Sequence, residues 1–219
     1  MTVNSPRQAD GPGGVLPPLY PILDIDLCRM RGRDPVALAV AFADGGARMM
    51  QVRQKSGGSG DLLAVCREVI EATRASRVTI IVNDRADVAV MSGAGGVHIG
   101  QDDLPAAAVR RIVGAGLLIG LSTHTPRQVD EALAGEIDYL AVGPIFRTAT
   151  KDTGYEARGL DLVRHAAGRG LPVVAIGGLS VETAPAALGA GATSVAIISD
   201  LLAAADPAGR VRAYLSRLA

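Results

Sequence analysis

Residues 78–105 read VTIIVNDRADVAVMSGAGGVHIGQDDLP, and their pattern of apolar residues indicates the fold class. Residues 78–82 form a short run rich in β-branched side chains, residues 85–92 carry apolar side chains at helical spacing, and a second short apolar run follows at 96–99. Two short strands separated by a helix are typical of a βαβ unit, whose strands lie parallel in one sheet. The stretch therefore predicts a parallel sheet covered by helices.

The same alternation continues along the chain in both directions. The apolar runs predict eight strands, at residues 19–23, 49–53, 78–82, 96–99, 117–121, 139–142, 172–176 and 194–198. The remaining periodic segments predict helices at residues 34–43, 61–75, 85–92, 105–113, 126–134, 160–168, 181–189 and 208–217. Capping oxygens followed by proline or an early acid mark several helix starts, at Asp34-Pro35, Thr125-Pro126 and Ser180 with Glu182.

Eight such units predict an α/β fold in which one domain, residues 15–219, forms a (β/α)₈ TIM barrel with short loops. The rival is an open doubly wound sheet, but no G-x-G-x-x-G follows the first strand to mark its ligand-binding turn. Residues 1–14 contain several glycines and prolines and no apolar core of the kind that a signal peptide needs. We expect these residues to form a flexible N-terminal tail.

Composition excludes several partner classes. The 22 basic and 22 acidic residues cancel, so a nucleic-acid partner is not expected. No apolar run approaches the roughly 20 residues that cross a bilayer, so no membrane partner is expected. Cys28 and Cys66 lack a metal-binding spacing and are predicted to be reduced, partly buried thiols, which favours a cytoplasmic location. The oligomeric state is left open.

Polar residues recur where the predicted strands end, and this is the edge of a barrel that carries active sites. At the end of the second strand, alternation turns Gln51, Arg53 and Lys55 to one side and Val52 to the other. Arg53 and Lys55 could equally be an ordinary solvated strand end. Gln51 argues against that alternative, because an amide inside an apolar run needs a partner or a ligand.

Acids follow the next two strands. Asn83-Asp84 ends the third strand, and Asp102-Asp103 follows the fourth. Two carboxylates at one barrel mouth, beside cations that could hold phosphate, suit a magnesium ion shared with a diphosphate. The alternative is that these acids cap the following helices.

The later strand ends point to phosphate. Gly177-Gly178 follows the seventh strand and Ser199 the eighth, where barrels commonly present backbone N–H groups to phosphate. Two histidines are candidates for proton transfer. His98 alternates with apolar residues on a short strand and is interpreted as a hydrogen-bonded core residue, whereas His124 lies in a loop at the active end.

Taken in order, these segments resemble the thiamine phosphate synthase family over residues 19–199. The matching motifs are QVRQK at 51–55, NDRAD at 83–87, GVHIGQDDLP at 96–105, STHT at 122–125, GPIF at 143–146, TATK at 148–151 and AIGG at 175–178. The resemblance implies a Mg²⁺-dependent transferase acting on phosphorylated small molecules. It would join 4-amino-5-hydroxymethyl-2-methylpyrimidine diphosphate to 4-methyl-5-(2-hydroxyethyl)thiazole phosphate by way of a pyrimidine cation.

The resemblance also implies roles for individual residues. Asp84 and Asp103 would hold Mg²⁺, and Gln51 would bind the aminopyrimidine. The diphosphate would be bound by Arg53, Lys55, Asn83 and Lys151, with Ser122 nearby. Of these, the candidate catalytic residues are Arg53, Lys55, Ser122 and Lys151. The thiazole phosphate would be surrounded by Thr148, Thr150, Gly178 and Ser199.

Two other functions remain open at this point. A thiazole tautomerase shares the fold and would use a histidine placed like His124, but it has no diphosphate to expel. A non-catalytic sensor of phosphorylated ligands would not need the acids Asp84 and Asp103.

Overall fold

The computed structural model describes residues 16–147 and 155–219. Within these ranges eight parallel strands close into a barrel in sequence order, and β1 pairs with β8 to complete it. The strands are β1 Leu19–Asp24, β2 Met49–Arg53, β3 Thr79–Asn83, β4 Gly96–Ile99, β5 Leu118–Thr123, β6 Tyr139–Val142, β7 Val173–Ile176 and β8 Ser194–Ile197. The predicted TIM barrel is confirmed.

Helices surround the barrel. They are α1 Ile25–Met30, α2 Pro35–Asp44, α3 Ser59–Ala72, α4 Ala86–Ser92, α5 Ala106–Val113, α6 Pro126–Leu133, α7 Asp161–Ala166, α8 Ala184–Gly189, α9 Ser199–Ala203 and α10 Pro207–Leu218, with a 3₁₀ turn at Arg74–Ser76. No helix within the described ranges is long and apolar enough to cross a membrane.

Local capping explains where several helices begin. The Asp34 side chain accepts from the backbone N–H of Val36 at 2.9 Å, and Pro35 starts α2. Thr125 caps α6 in the same way, with Pro126 at its start. Each cap satisfies an N–H that the first helical turn leaves unpaired. These two predicted starts are confirmed.

The structure differs from the predicted elements at four places. Helices α1 and α9 were not predicted, because each is a short segment that follows its strand directly without a separating turn signal. The seventh predicted helix begins at Ala184 rather than 181, because the Ser180 hydroxyl accepts from Glu182 and Thr183 and closes a turn first. Strand β5 continues past 121, so Ser122 lies in the strand and not in the following loop. The predicted tail, residues 1–14, lies outside the described residues.

Two apolar layers make up the core. The larger lies between strands and helices and includes Val52, whereas a smaller cluster fills the barrel interior around Tyr20 and Tyr139. Gly120 makes room for that interior ring, since a Cβ there would lie 2.1 Å from Cζ of Tyr139. The barrel therefore has a packed interior that ends in polar groups at the carboxyl ends of its strands.

Both cysteines are buried free thiols. Burial raises the pKa of the Cys28 thiol to about 11 and that of Cys66 to about 12. Neither thiol has the thiolate character that a nucleophile needs at neutral pH.

Candidate active site

Polar side chains gather at the carboxyl end of the barrel. Gln51 and Arg53 lie in β2, Asn83 is the last residue of β3, and Ser122 lies near the end of β5. An open cleft of about 780 Å³ is lined by residues that include Lys55, Asn83, Asp84, Asp103 and Ser122. The structure thus brings the last five residues into one cleft, whereas Gln51 and Arg53 do not line it.

Asp84 and Asp103 meet in this cleft. Asp84 adopts a left-handed backbone (φ +63°), and its N–H donates to the carbonyl of His98 at 2.7 Å. The Asp103 carboxylate accepts from the backbone N–H of Gly100 at 2.7 Å. Burial raises the pKa of Asp103, and the negative charge of Asp84 and a hydrogen bond with it raise that pKa further. Asp102, the neighbour left open as an alternative, is exposed.

This pair has the chemistry of a magnesium site. Two carboxylates in contact repel each other unless a proton or a cation lies between them. Mg²⁺ is commonly held by one or two carboxylates together with substrate phosphates and water. No cluster of three or more His, Cys, Asp or Glu side chains suited to a metal occurs in the described part of the chain. The pair therefore fits a cation whose remaining ligands come from substrate and solvent.

Two acids where β1 leads into α1 hold the Arg53 side chain and the Lys55 backbone, and the sequence analysis missed them. Asp24, buried at 3% exposure, forms an ion pair with Arg53. Asp26 accepts hydrogen bonds from the backbone N–H of Lys55 at 2.7 Å and of Ser56 at 3.1 Å. Burial opposes ionisation of Asp26, but the hydrogen bonds from Ser56 and Lys55 lower its pKa overall. The strand-end test that identified Arg53 would have found both acids had it been applied to the first strand.

Lys55 links the end of β2 to the pair of acids Asp84 and Asp103. Its side chain is half exposed and forms an ion pair with Asp84. The backbone of Lys55 is fixed by Asp26 while its ammonium group faces the cleft. The cation is thus placed beside the carboxylate pair.

A buried chain of hydrogen bonds lies beneath the cleft. Gln51 Nε2 donates to the Tyr20 hydroxyl at 3.1 Å, and the hydroxyls of Tyr20 and Tyr139 lie 3.0 Å apart. His98 Nδ1 lies 3.1 Å from the Tyr139 hydroxyl, and His98 Nε2 lies 2.9 Å from Ser122 Oγ. The interpretation of His98 as a hydrogen-bonded core residue is confirmed, and its ring also borders the cleft.

Asn83 has an unused donor. Its side chain is 7% exposed, and Nδ2 has no hydrogen-bond partner among the residues that the structure describes. A buried amide donor without a partner is costly in free energy unless a ligand accepts from it. This observation supports the expectation that Asn83 contacts an anionic group.

A second cavity adjoins the first and shares Ser122 and His124 with it. Its other lining residues include Gly143, Pro144, Ile176, Gly177, Gly178, Ile198 and Ser199. Gly178 has φ +65°, and a Cβ there would lie 2.5 Å from the carbonyl oxygen of Arg147. Glycine is therefore required at this position for both conformation and space.

His124 sits where the two cavities join. Its Nδ1 lies 2.6 Å from the carbonyl oxygen of Gly143, and its ring stacks on Tyr155 with centroids 4.4 Å apart. Gln128 contacts both residues, accepting from the His124 backbone N–H and donating to the Tyr155 hydroxyl. Tyr155 was not predicted as a site residue, because it follows no predicted strand directly and lies outside the motifs of the family resemblance.

Three of the predicted site residues, Thr148, Thr150 and Lys151, lie outside the described residues.

The family model described as thiamine monophosphate synthase matches residues 19–201. A thiamine-phosphate synthase of Koribacter versatilis is 42% identical over 93% of this chain and 96% of its own length. A thiamine-phosphate synthase of Anaeromyxobacter dehalogenans is 44% identical over 80% of this chain and 79% of its own length. A solved thiamine phosphate pyrophosphorylase from Pyrococcus furiosus superposes with a TM-score of 0.82 at 28% identity, covering 92% of this chain and 95% of that one.

Proposed function

The chain belongs to the thiamine monophosphate synthase family and is a transferase, and from that premise we propose the reaction that it catalyses. The proposed reaction joins 4-amino-5-hydroxymethyl-2-methylpyrimidine diphosphate to 4-methyl-5-(2-hydroxyethyl)thiazole phosphate and releases diphosphate. The observation that carries this proposal is the pair of adjoining cavities, one rich in acids and cations and the other lined by glycines, which share Ser122 and His124.

The acid-rich cleft would take the pyrimidine diphosphate. Asn83 offers a buried amide donor that has no partner within residues 16–147 and 155–219, and Lys55 offers an ammonium group beside the acids. Asp84 and Asp103 would hold Mg²⁺, which would supply positive charge to the diphosphate. Gln51 at the floor of the site would bind the aminopyrimidine, and Arg53 and Lys151 would add cations on the diphosphate.

The glycine-lined cavity would take the thiazole phosphate. Gly177 and Gly178 leave the backbone accessible, and Ser199 begins a short helix after β8. Barrels commonly bind phosphate at this place with backbone N–H groups. We assign Gly178 and Ser199 to this phosphate, and Thr148 and Thr150 keep their assignment from the family resemblance.

The proposed chemistry is dissociative. The bond between the pyrimidine methylene carbon and the diphosphate oxygen breaks, and its electron pair leaves with the diphosphate. The electron-rich aminopyrimidine ring stabilises the resulting cation, and the lone pair of the thiazole nitrogen then forms the new C–N bond. The task of the protein is to stabilise the leaving group with donors and charges that are already in place, and no protein nucleophile is required.

The proposal is tested by incubating the purified protein with both substrates and Mg²⁺ and measuring thiamine phosphate by liquid chromatography. Asp84→Ala and Asp103→Ala should each lower turnover by about 100- to 1,000-fold, the usual loss for one group that stabilises transition-state charge. The exposed Asp161, which pairs with Arg164 on α7, offers a matched control, and Asp161→Ala should retain activity.

Two outcomes would contradict the proposal. Unchanged turnover in both acid variants would refute the metal assignment. Absence of thiamine phosphate, with isomerisation of a thiazole phosphate carboxylate in its place, would identify a tautomerase instead.

A further inference from the structure

We infer that Tyr20, Tyr139 and His98 are positioning residues, which form a hydrogen-bond relay of fixed direction from Gln51 to Ser122 and hold the Ser122 hydroxyl as a donor toward the substrate. The relay comprises these five residues, drawn from β1, β2, β4, β5 and β6. Its effect on catalysis rests on the proposed function, whereas its direction is a property of the protein alone.

The contacts form an unbroken series. Four successive distances, 3.1, 3.0, 3.1 and 2.9 Å, join Gln51 Nε2, the Tyr20 and Tyr139 hydroxyls, the His98 ring and Ser122 Oγ. Tyr20 is 1% exposed and Tyr139 is 0% exposed. In such a setting each polar atom depends on its neighbour in the series, and adjacent hydrogen bonds polarise one another.

The direction follows from counting hydrogens. Burial raises the pKa of both phenols, so each stays neutral and has one hydrogen to donate. Gln51 Nε2 donates to the Tyr20 oxygen, and the Tyr20 hydrogen is then directed to Tyr139. The Tyr139 hydrogen is directed to Nδ1 of His98, which must therefore be an acceptor.

The remaining steps lead out of the core. A neutral imidazole whose Nδ1 accepts carries its hydrogen on Nε2, and this hydrogen points to Ser122 Oγ at 2.9 Å. Ser122 Oγ thus accepts from His98, and its own hydrogen remains for the cleft that Ser122 lines. A hydroxyl that accepts a hydrogen bond is a stronger donor, which suits the charge that builds up on a departing diphosphate.

The same direction suits the other end of the relay. With Nε2 of Gln51 committed to Tyr20, the amide oxygen is the group that can accept from an exocyclic amine. An aminopyrimidine carries such an amine. Reversal of the Gln51 amide would reverse every donor in the series, place the His98 hydrogen on Nδ1 and make Ser122 donate inward.

The direction is tested by ¹⁵N NMR of the histidine side chains, which distinguishes the two neutral tautomers. The chain has three histidines, and the spectrum of His98→Gln identifies the His98 signals. We expect the wild-type protein to show His98 with its hydrogen on Nε2, and Tyr139→Phe to remove the preference for this tautomer. A wild-type His98 with its hydrogen on Nδ1 would overturn the inference.

The catalytic consequence is tested by steady-state kinetics. Tyr139→Phe should lower kcat by about 10-fold with little change in KM, the size expected for one hydrogen bond. Combined with Ser122→Ala it should cause no further loss, because both changes remove the same donor. Thr73→Val is the matched control, because it removes a buried hydroxyl that bonds to the Val69 carbonyl in α3, and it should leave kcat unchanged.

The outcomes separate the two proposals. Additive losses in the double variant would show that Tyr139 acts through general stability and would overturn the positioning role. A wild-type protein that makes no thiamine phosphate but shows the Nε2 tautomer would refute the proposed function and leave the relay standing.

Discussion

Replacing Asp24 with asparagine isolates the charge that holds Arg53. The Asp24 carboxylate has two partners, since one oxygen accepts from the backbone N–H of Leu27 at 3.0 Å and the other forms the ion pair with Arg53. An asparagine oxygen can still cap α1 through Leu27. Its NH₂ group, however, would face the guanidinium, so that two donors oppose each other. Asp24→Asn therefore keeps the cap and removes the ion pair.

The magnitude follows from burial. Removing one partner of a fully buried ion pair typically costs about 3–5 kcal/mol. The side chain of Asp24 is 4% exposed but that of Arg53 is 17% exposed, so the guanidinium can recover part of its hydration. We expect a loss of about 1.5–3 kcal/mol in the free energy of unfolding, the range for a hydrogen bond to a charged group. Released from Asp24, Arg53 would no longer be oriented for the diphosphate, and kcat should fall by about 10- to 100-fold.

Urea unfolding and steady-state kinetics of the same preparation test both effects. Asp34→Asn is the matched control, because Asp34 caps α2 through Val36 but is exposed. The control should retain both stability and activity. If Asp24→Asn were as stable and as active as the control, Asp24 would not hold Arg53 in the way inferred. A stability loss without a kinetic effect would confine the ion pair to a structural role.

Two further predictions concern the acid pair and the barrel interior. The raised pKa of Asp103 means that the folded state holds its proton more tightly, so stability falls as pH rises from the unfolded value of 3.8 through the folded one. Without Mg²⁺, Asp103→Asn should therefore gain stability relative to the wild type as the pH rises above 3.8, and a difference in urea unfolding that stays constant with pH would contradict this. Gly120→Ala places a Cβ 2.1 Å from Cζ of Tyr139 and should destabilise the fold by about 1–3 kcal/mol, whereas Gly116→Ala, which meets no atom within 4 Å, should not. Equal thermal unfolding of these two glycine variants would contradict the second prediction.

Local patterns were sufficient to predict the barrel. Each strand within residues 78–99 is a short apolar run bounded by glycine or polar residues. Such a run can be recognised from the residues next to it in the sequence, without knowledge of distant contacts. The same patterns could not locate α1 or α9, because a helix of five or six residues is stabilised by its packing and not by its own periodicity. Ser122 was placed outside its strand for a related reason. Its pairing with Ala141 of β6 depends on a neighbour that sequence alternation does not reveal.

The site was predictable only where strand direction determined it. Gln51 and Asn83 were found because the ends of parallel strands meet at one edge, whereas Ser122 was assigned through the family resemblance. The contact between Tyr20 and Tyr139 joins residues 119 positions apart across the barrel interior. Each is a tyrosine inside an apolar run, which sequence reasoning interprets as packing. Only closure of the barrel turns two such residues into a hydrogen-bonded pair.

The polar relay is difficult to explain as a means of stabilising the barrel. Barrel interiors are usually filled by branched apolar side chains, and a buried polar network is worse than an apolar core unless every member is satisfied. Here Tyr139 requires Gly120 to lack a side chain, and the two tyrosines lead from Gln51 to Ser122 at the junction of both cavities. The relay is better explained by its effect on Ser122. It gives a defined direction to the Ser122 hydroxyl at the place where the two substrates of the proposed reaction would meet.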